Sequence, residues 1–510
     1  MTSHISTVAF HGVEAVPVDV QVQISSGLVA FTIVGLPDKA VAESRERISA
    51  ALRSVGLALP ARRITVNMAP ADLPKEGSHY DLPIALGLLS AMGVLPNDYL
   101  SQYSVVGELG LDGSIAAISG ALPAAMAANS AGRGLICPGL CGPEAVWAGE
   151  DVDVLAADNL IQIVNHFKGT QVLSRPEPGL ETEMPILPDM VDIKGQEAGK
   201  RALEVAAAGG HHLLMVGPPG AGKSMLANRL PSILPAMSAK EMLEVSMIAS
   251  VSGEIRNGVL SARRPFRAPH HSASQAALVG GGLKARPGEM ALAHNGVLFL
   301  DEFPEFQSRA LEALRQPLES GQTVIARANH HVTYPANFQL IAAMNPCKCG
   351  MAGEPGHVCK RGPRCASDYQ GRISGPLLDR MDIQIELPAV RASDLTLPAP
   401  KDTSADVAKR VARARETQRQ RFADLGLEHL RSNAQADGRL LEDIAKTDQA
   451  GQSLMRDAAE AMNLSARGYH RVLRVARTLA DLAERSDVSR VDIAEAISYR
   501  QQLASFSLAA

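Results

Sequence analysis

The stretch HLLMVGPPGAGKSMLANRL, His212 to Leu230, decides the fold. Its apolar residues Leu213 to Val216 read as a short buried strand, the glycine-rich run after them as a loop, and the residues beyond Ser224 as the start of a helix. The loop GPPGAGKS, Gly217 to Ser224, fits the pattern G-x-x-x-x-G-K-[ST]. In that pattern backbone N–H groups close around phosphates, a lysine reaches the β and γ phosphates, and a hydroxyl holds Mg²⁺. ATP and Mg²⁺ are therefore the expected cofactors. The nucleotide site is expected to comprise Gly217, Pro218, Pro219, Gly220, Ala221, Gly222, Lys223, Ser224 and Met225, with Ser224 also a metal ligand.

Two more strand patterns follow this one, and alternation of short buried strands with helices predicts a parallel sheet wrapped by helices. GVLFLDE ends in Asp301 and Glu302. A carboxylate at the C-terminal end of a strand beside the loop can reach the metal, and a second can polarise water, so Asp301 reads as the Mg²⁺ partner and Glu302 as the general base. FQLIAAMN ends at Asn345, a polar side chain able to orient the attacking water. Arg380 in SGPLLDRMD and Arg467 in SARGYHR are each able to stabilise charge on the γ phosphate; taken alone, each also reads as a solvated or salt-bridged arginine.

The whole chain has 510 residues, with 54 acids against 50 bases. The length predicts two to four domains. Prolines mark the boundaries, in LSRPEPGLETEMPILPDM and again in LTLPAPKDT. We divide the chain into an α/β N-terminal domain, residues 1–172; a linker, 173–188; an ATPase core, 189–392; a second linker, 393–404; and an all-α C-terminal region, 405–510. In the last of these, Val472, Val475, Leu479 and Leu482 recur at helical spacing. Residues 1–183 carry net −9, residues 184–390 net +3 and the rest net +2, so the acidic balance belongs to the N-terminal domain. The longest uncharged apolar stretch, Leu82 to Leu95, is shorter than the roughly 18–20 residues that span a bilayer. MTSHISTVAF has no basic region followed by a long apolar one, and a cytoplasmic protein with no membrane partner is expected.

Four of the six cysteines, Cys347, Cys349, Cys359 and Cys365, cluster with spacing C-x-C-x₉-C-x₅-C. Four thiolates can close a tetrahedral Zn²⁺ site and pin a loop too small for its own core; free thiols or a redox disulfide are the other reading. Cys137 and Cys141 read as unliganded. No acid lies between Glu254 and Glu289, a stretch containing Arg263, Arg264, Arg267 and Lys284. None lies between Glu319 and Glu354, where Arg327, His330 and His331 sit in a predicted β-hairpin. Acid-free basic loops can track a phosphate backbone, and these residues are the DNA-binding candidates; solvated loops or subunit contacts are the bland reading.

The motifs in this order resemble an AAA+ ATPase of the magnesium-chelatase-like branch. DIKGQ, Asp192 to Gln196, resembles that superfamily's adenine-side segment, and FRAPHHSAS and PGEMALAHNGVLFLDE are close to signature strings of the branch. With its N-terminal region and C-terminal helices, the chain resembles the YifB/ComM family along essentially its whole length. The resemblance implies that Asn345 is sensor 1, that Arg380 is an arginine finger offered to a neighbouring subunit, and that Arg467 is sensor 2. It implies a homohexamer, and a C-terminal lid of the Mg-chelatase type.

The N-terminal region resembles the Lon protease domain. Where that family has P-K-D-G-P-S-A-G this chain has Pro74 to Asp81, with His79 at the nucleophile position; where it has G-G-L-K this chain has Ser119 to Leu122. Nucleophile and lysine are both missing, so a non-proteolytic domain is expected. The function implied is an ATP-dependent hexameric DNA motor, a helicase that promotes branch migration on single-stranded or branched DNA in homologous recombination and natural transformation, alongside recombination proteins. The alternatives are a chelatase-like or a protein-remodelling AAA+ ATPase.

Overall fold

The computed structural model describes residues 2–179, 187–282, 285–327, 330–352, 359, 361–362, 364–396, 398, 400 and 402–500. Lys284 lies outside the described residues, as do the side chains of Arg327 and His330.

The N-terminal sheet starts from a long hairpin. Strands β1 (Thr2–His11) and β2 (Glu14–Ser25) pair antiparallel in a register that runs from Thr2↔Gln23 to His11↔Glu14. With β3 (Ala30–Val34), β4 (Arg63–Ala69), β5 (Tyr103–Val105), β6 (Gly134–Pro138) and β7 (Val154–Ala157) they form a mixed sheet in the order β3-β4-β2-β1-β5-β6-β7. Alternation in β4 buries Ile64, Val66 and Met68 in the apolar cluster that also holds helix α1 (Asp81–Ala91). That helix is the start of the uncharged stretch read from the sequence, and it is buried from Asp81 to Ser90, so it needs no polar face.

The central region, 189–392, is built on a five-stranded parallel sheet. Its strands are β8 (Leu213–Val216), β9 (Phe266–Arg267) and β10 (Val297–Leu300), then, after an antiparallel hairpin of β11 (Gln322–Arg327) and β12 (His330–Pro335), β13 (Gln339–Met344) and β14 (Ile383–Glu386). The spatial order is β9-β10-β13-β8-β14. Because side chains alternate across a strand, Leu213 and Met215 enter one core and Leu214 and Val216 the other. Both faces are covered, which is why these strands read as continuous apolar runs.

The first of those cores runs on into the C-terminal helices. Leu213, Ile341 and Ile383 share one apolar cluster with Val411 of α6 (Ser404–Asp424), with Val472, Val475 and Leu479 of α8 (Ala466–Leu482), and with Ile493 of α9 (Arg490–Ser498); α7 (Gln449–Ala461) adds Met455. The N-terminal region also packs on the core. Helix α2 (Ala121–Ser130) lies against α5 (Ala239–Ser252), the Gly120 N–H donates to the Ser250 carbonyl at 3.0 Å, and Trp147 Nε1 donates to the Gly258 carbonyl at 3.1 Å. Two more helices position the site: α3 (Glu197–Gly209), before β8, and α4 (Lys223–Ala227), directly after the phosphate loop. Among the described residues no helix is long and apolar enough to cross a membrane.

Candidate functional site

The loop between β8 and α4 turns through Gly220 and Gly222, whose φ angles of +81° and +87° favour glycine, and a Cβ at either would meet nothing within 4 Å. The cradle is therefore open on the side where phosphates would lie. Lys223 is buried and curls back over it. Its three ammonium donors are matched by three acceptors: the Gly217 carbonyl at 2.7 Å, the Pro218 carbonyl at 2.9 Å and Asn345 Oδ1 at 3.1 Å. Burial lowers its pKa, while Asp301 and Glu302 act in the opposite direction. Parallel pairing of β8 with β13, and of β13 with β10, brings the strand ends together. Asn345 follows β13, and Asp301 and Glu302 follow β10. Ser224 Oγ donates to Asp301 Oδ2 at 2.5 Å, so the hydroxyl and the carboxylate expected to share a metal already face each other. The residues present fit Mg²⁺ and a nucleotide triphosphate: an open N–H cradle, one ammonium, one hydroxyl–carboxylate pair.

Glu302 has a left-handed backbone, φ +51°, and its own N–H donates to Asp301 Oδ1 at 2.9 Å. Its side chain is half exposed and meets a histidine that the sequence reading left without a role: Nδ1 of His271 lies 2.9 Å from Glu302 Oε2. Gln196, at the end of DIKGQ, donates from Nε2 to the Ala221 carbonyl at 3.1 Å and to the Pro388 carbonyl at 2.8 Å, which ties that segment to the phosphate loop. Met225 stands 49% exposed beside it.

The two arginines lie together, away from this site. Arg380 and Arg467 line one cleft of about 1220 Å³, together with Arg264, Arg431, Arg471 and Arg474. No residue from Gly217 to Met225 lines it. Arg380 is buried, pairs with Glu319 and donates to the Pro376 carbonyl at 2.6 Å. Burial, with the positive charges of Arg315 and Arg467 close by, holds its pKa below the ordinary arginine value.

The basic stretches change meaning in three dimensions. Arg264 is engaged by Glu241, at 3.0 Å, and by the Asn295 carbonyl. Arg267 is engaged by Glu289 and Glu254. The acids that bound the first stretch in sequence thus fold back onto Arg267, and both arginines are structural in this arrangement rather than turned to solvent for DNA. His331 is exposed on the hairpin. The two acid-free stretches meet: Tyr334 Oη donates to the Ala285 carbonyl at 3.0 Å, and Ala285, Ile325, Val332 and Tyr334 share an apolar cluster with Ile248, against which Val13 of the N-terminal hairpin packs.

The four cysteine sulfurs all lie within 4.8 Å of one another, with Cys347–Cys349 at 2.9 Å and Cys349–Cys359 at 3.2 Å. A tetrahedral Zn²⁺ with bonds of about 2.3 Å places its sulfurs near 3.8 Å apart, so the donor set fits. The loop also touches the nucleotide site. Gly350, at φ +84°, packs so closely on Pro219 of the phosphate loop that a Cβ would lie 2.7 Å from its ring. In the N-terminal domain His79 is buried, with Nε2 2.9 Å from the Val8 carbonyl and its ring against Phe10 and Tyr80. Lys75 is buried and donates to the Pro70 carbonyl, while Ser78 donates to Glu108.

The chain matches the family described as Magnesium chelatase, subunit ChlI, over residues 189–395, its C-terminal region over 401–500, and Subunit ChlI of Mg-chelatase over 20–139. It is 43% identical over 501 residues to the YifB protein of Salmonella typhimurium, covering 97% of this chain and 96% of that one. It is 42% identical over 497 residues to the competence protein ComM of Haemophilus influenzae, covering 96% and 95%. The magnesium-chelatase 38 kDa subunit of Rhodobacter capsulatus is 29% identical over 197 residues, 35% of this chain and 56% of the relative. The chain belongs to the magnesium-chelatase-like family that includes YifB and ComM.

Proposed function

We propose that this member of the family is an ATP hydrolase that assembles as a homohexameric ring in the cytoplasm and drives strand exchange on single-stranded or branched DNA, as a helicase or branch-migration motor in recombination and the uptake of transforming DNA. The observation that carries the reading is the division of the site. Phosphate loop, metal pair and base converge at one end of the parallel sheet, whereas Arg380 and Arg467 line a cleft that no phosphate-loop residue touches. A site short of its arginines in one chain is completed by a head-to-tail neighbour, and a closed head-to-tail assembly is a ring.

Within the site, Lys223 would exchange the carbonyls of Gly217 and Pro218 for phosphate oxygens while keeping Asn345 as its third partner. Asn345 orients the water, and Glu302 takes its proton. Magnesium, when bound by Ser224 and Asp301, would supply charge neutralisation at the phosphate oxygens. One structural Zn²⁺ would be held by Cys347, Cys349, Cys359 and Cys365.

DNA as substrate is supported by likeness to a protein named for competence, and by exposed His331 on the hairpin that packs against the first acid-free stretch. A non-proteolytic Lon-like N-terminal domain is supported by the burial of His79 and Lys75 and by Ser78 donating to a carboxylate instead of to a lysine. The match to the 38 kDa chelatase subunit supports a second reading, in which the ring remodels a partner protein. ATP hydrolysis measured with and without forked DNA, together with displacement of a labelled strand, separates them, with Lys223→Ala as the inactive control. DNA-stimulated hydrolysis with displacement is expected; hydrolysis that ignores DNA and displaces nothing at low salt would sink the motor reading.

A further inference from the structure

Among the described residues the hairpin of β11 and β12 pairs with no other strand, and a two-stranded hairpin alone is marginal in water. Alternation gives it two unlike faces. Thr323, Ile325, Val332 and Tyr334 are buried, whereas Val324, Ala326, His331 and Thr333 are exposed, with Ala326 opposite His331 and Val324 opposite Thr333 across the strands. The buried face needs a floor. Ile248 of α5, Ala285 and Ala291 supply part of it from the central region, and the N-terminal domain adds to it with the turn between β1 and β2. Val13 of that turn packs against the apolar cluster. Gly12, at φ +66°, comes so close to β12 that a Cβ would lie 3.0 Å from Val332 Cγ1 and 3.3 Å from the Thr333 carbonyl oxygen.

The turn is itself held from behind. Phe10, two residues before Gly12, has its ring 5.2 Å from that of buried His79, and a Cβ on Gly120 would lie 2.7 Å from the Phe10 ring. Gly120 is the residue whose N–H donates to the Ser250 carbonyl near the end of α5. The N-terminal domain therefore grips α5 at Ser250 and the hairpin at Val332 through residues that touch one another. We propose that this domain positions the hairpin, with Val13 as the positioning residue, so that the face carrying His331 stays in place relative to the sheet when DNA loads it. This rests on the reading of the hairpin as a DNA contact in a DNA-stimulated ATPase. Without the turn the floor under Val332 is incomplete and the hairpin yields to the strand. Movement driven by ATP then fails to reach the DNA, while the phosphate loop, Asp301 and Asn345 keep their places.

The test compares wild type, Val13→Asp and Val13→Ile as full chains in two measurements: steady-state ATP hydrolysis with and without an oligo-dT single strand, and hydrogen exchange of peptides covering residues 322–335. Aspartate sets a carboxylate against the apolar cluster, whereas isoleucine keeps the contact. For Val13→Asp the DNA-free kcat and KM for ATP are expected to stay within about twofold of wild type, while stimulation by oligo-dT falls at least roughly 5-fold. Exchange over residues 322–335 should quicken by about 10-fold, with residues 213–216 unchanged. Val13→Ile should match wild type in both measurements. Unchanged hairpin exchange in Val13→Asp overturns the proposal, as does faster exchange with stimulation intact, or an isoleucine variant that behaves like aspartate. Loss of DNA-free hydrolysis in Val13→Asp also overturns it, because the defect is then one of the whole fold. A wild-type chain that hydrolyses ATP and ignores DNA overturns the DNA reading and the proposal with it, and is told apart from the other failures because it shows before any substitution.

Discussion

Lys223 and His212 stand at opposite ends of β8, and each is held in the protonation state its surroundings can accommodate. Lys223 keeps its charge despite burial because three acceptors surround it and Asp301 and Glu302 are near. His212 is kept neutral: burial, the largest cause, pushes its pKa down to about 4 against the pull of Asp382, and Nδ1 accepts the Leu340 N–H at 3.0 Å, which a protonated nitrogen could not do. The unfolded chain binds this proton near the ordinary value of about 6.5, so the native state is favoured above that pH and loses stability as pH falls toward 4. On the order of 1–3 kcal/mol is at stake. Thermal denaturation at pH 7.5 and pH 5 should show a drop in Tm for the wild type that is smaller in His212→Asn, which keeps an acceptor but cannot take up the proton. Equal drops would mean that His212 is not the titrating group. Lys223, Ser224 and Asp301 were legible in the sequence because each sits at a fixed offset from a short apolar strand, whereas the approach of His271 to Glu302 joins residues 31 positions apart through a strand of two residues, too short to leave a pattern.

Among its described residues the cysteine loop has no apolar core of its own, and its place in the fold comes from what it touches. Its spacing announced a metal, but its contact with the phosphate loop was hidden, because nothing in C-x-C-x₉-C-x₅-C says which neighbour the loop leans on. Gly350 against Pro219 makes it a buttress behind the phosphate cradle, and Cys347 stands two residues from Asn345. Two perturbations should therefore separate. Replacing Cys359 by serine removes one thiolate, so zinc measured by elemental analysis should fall from about one equivalent per chain to well below it, and KM for ATP should rise several-fold. Gly350→Ala keeps all four thiolates but forces a Cβ onto Pro219 at a left-handed φ; zinc should stay near one equivalent while KM for ATP still rises. An unchanged KM in both variants would show that the loop does not support the cradle. The hairpin tells a similar story: alternation in TVIARANHHVTY predicts the two strands, yet only the fold sets Tyr334 on Ala285 and leaves Arg264 and Arg267 to carboxylates.

At the scale of the molecule, a net charge of −4 hides a division of labour, since the acidic excess lies in the N-terminal 183 residues while the cleft between sheet and C-terminal helices is lined by eight arginines, the six already named with Arg415 and Arg419. One continuous apolar core joins those helices to the sheet and anchors α8, which carries Arg467, while Leu377 and Met381 beside Arg380 are buried in the core on the other face of the sheet. Arg380 is held meanwhile by Glu319, an exposed carboxylate; in the proposed ring a neighbour's nucleotide would take its place. The division has a consequence that mixing can test. A Lys223→Ala chain keeps its arginines and loses its phosphate loop; an Arg380→Ala chain does the reverse. Each alone should be inactive. In randomly mixed rings about a quarter of the interfaces pair an intact loop with an intact arginine, so an equimolar mixture should regain up to roughly a quarter of wild-type ATP turnover. Turnover that stays at the level of the single variants, in mixtures shown by co-purification of differently tagged chains to share rings, would mean that Arg380 acts within its own chain and that the site does not need a neighbour.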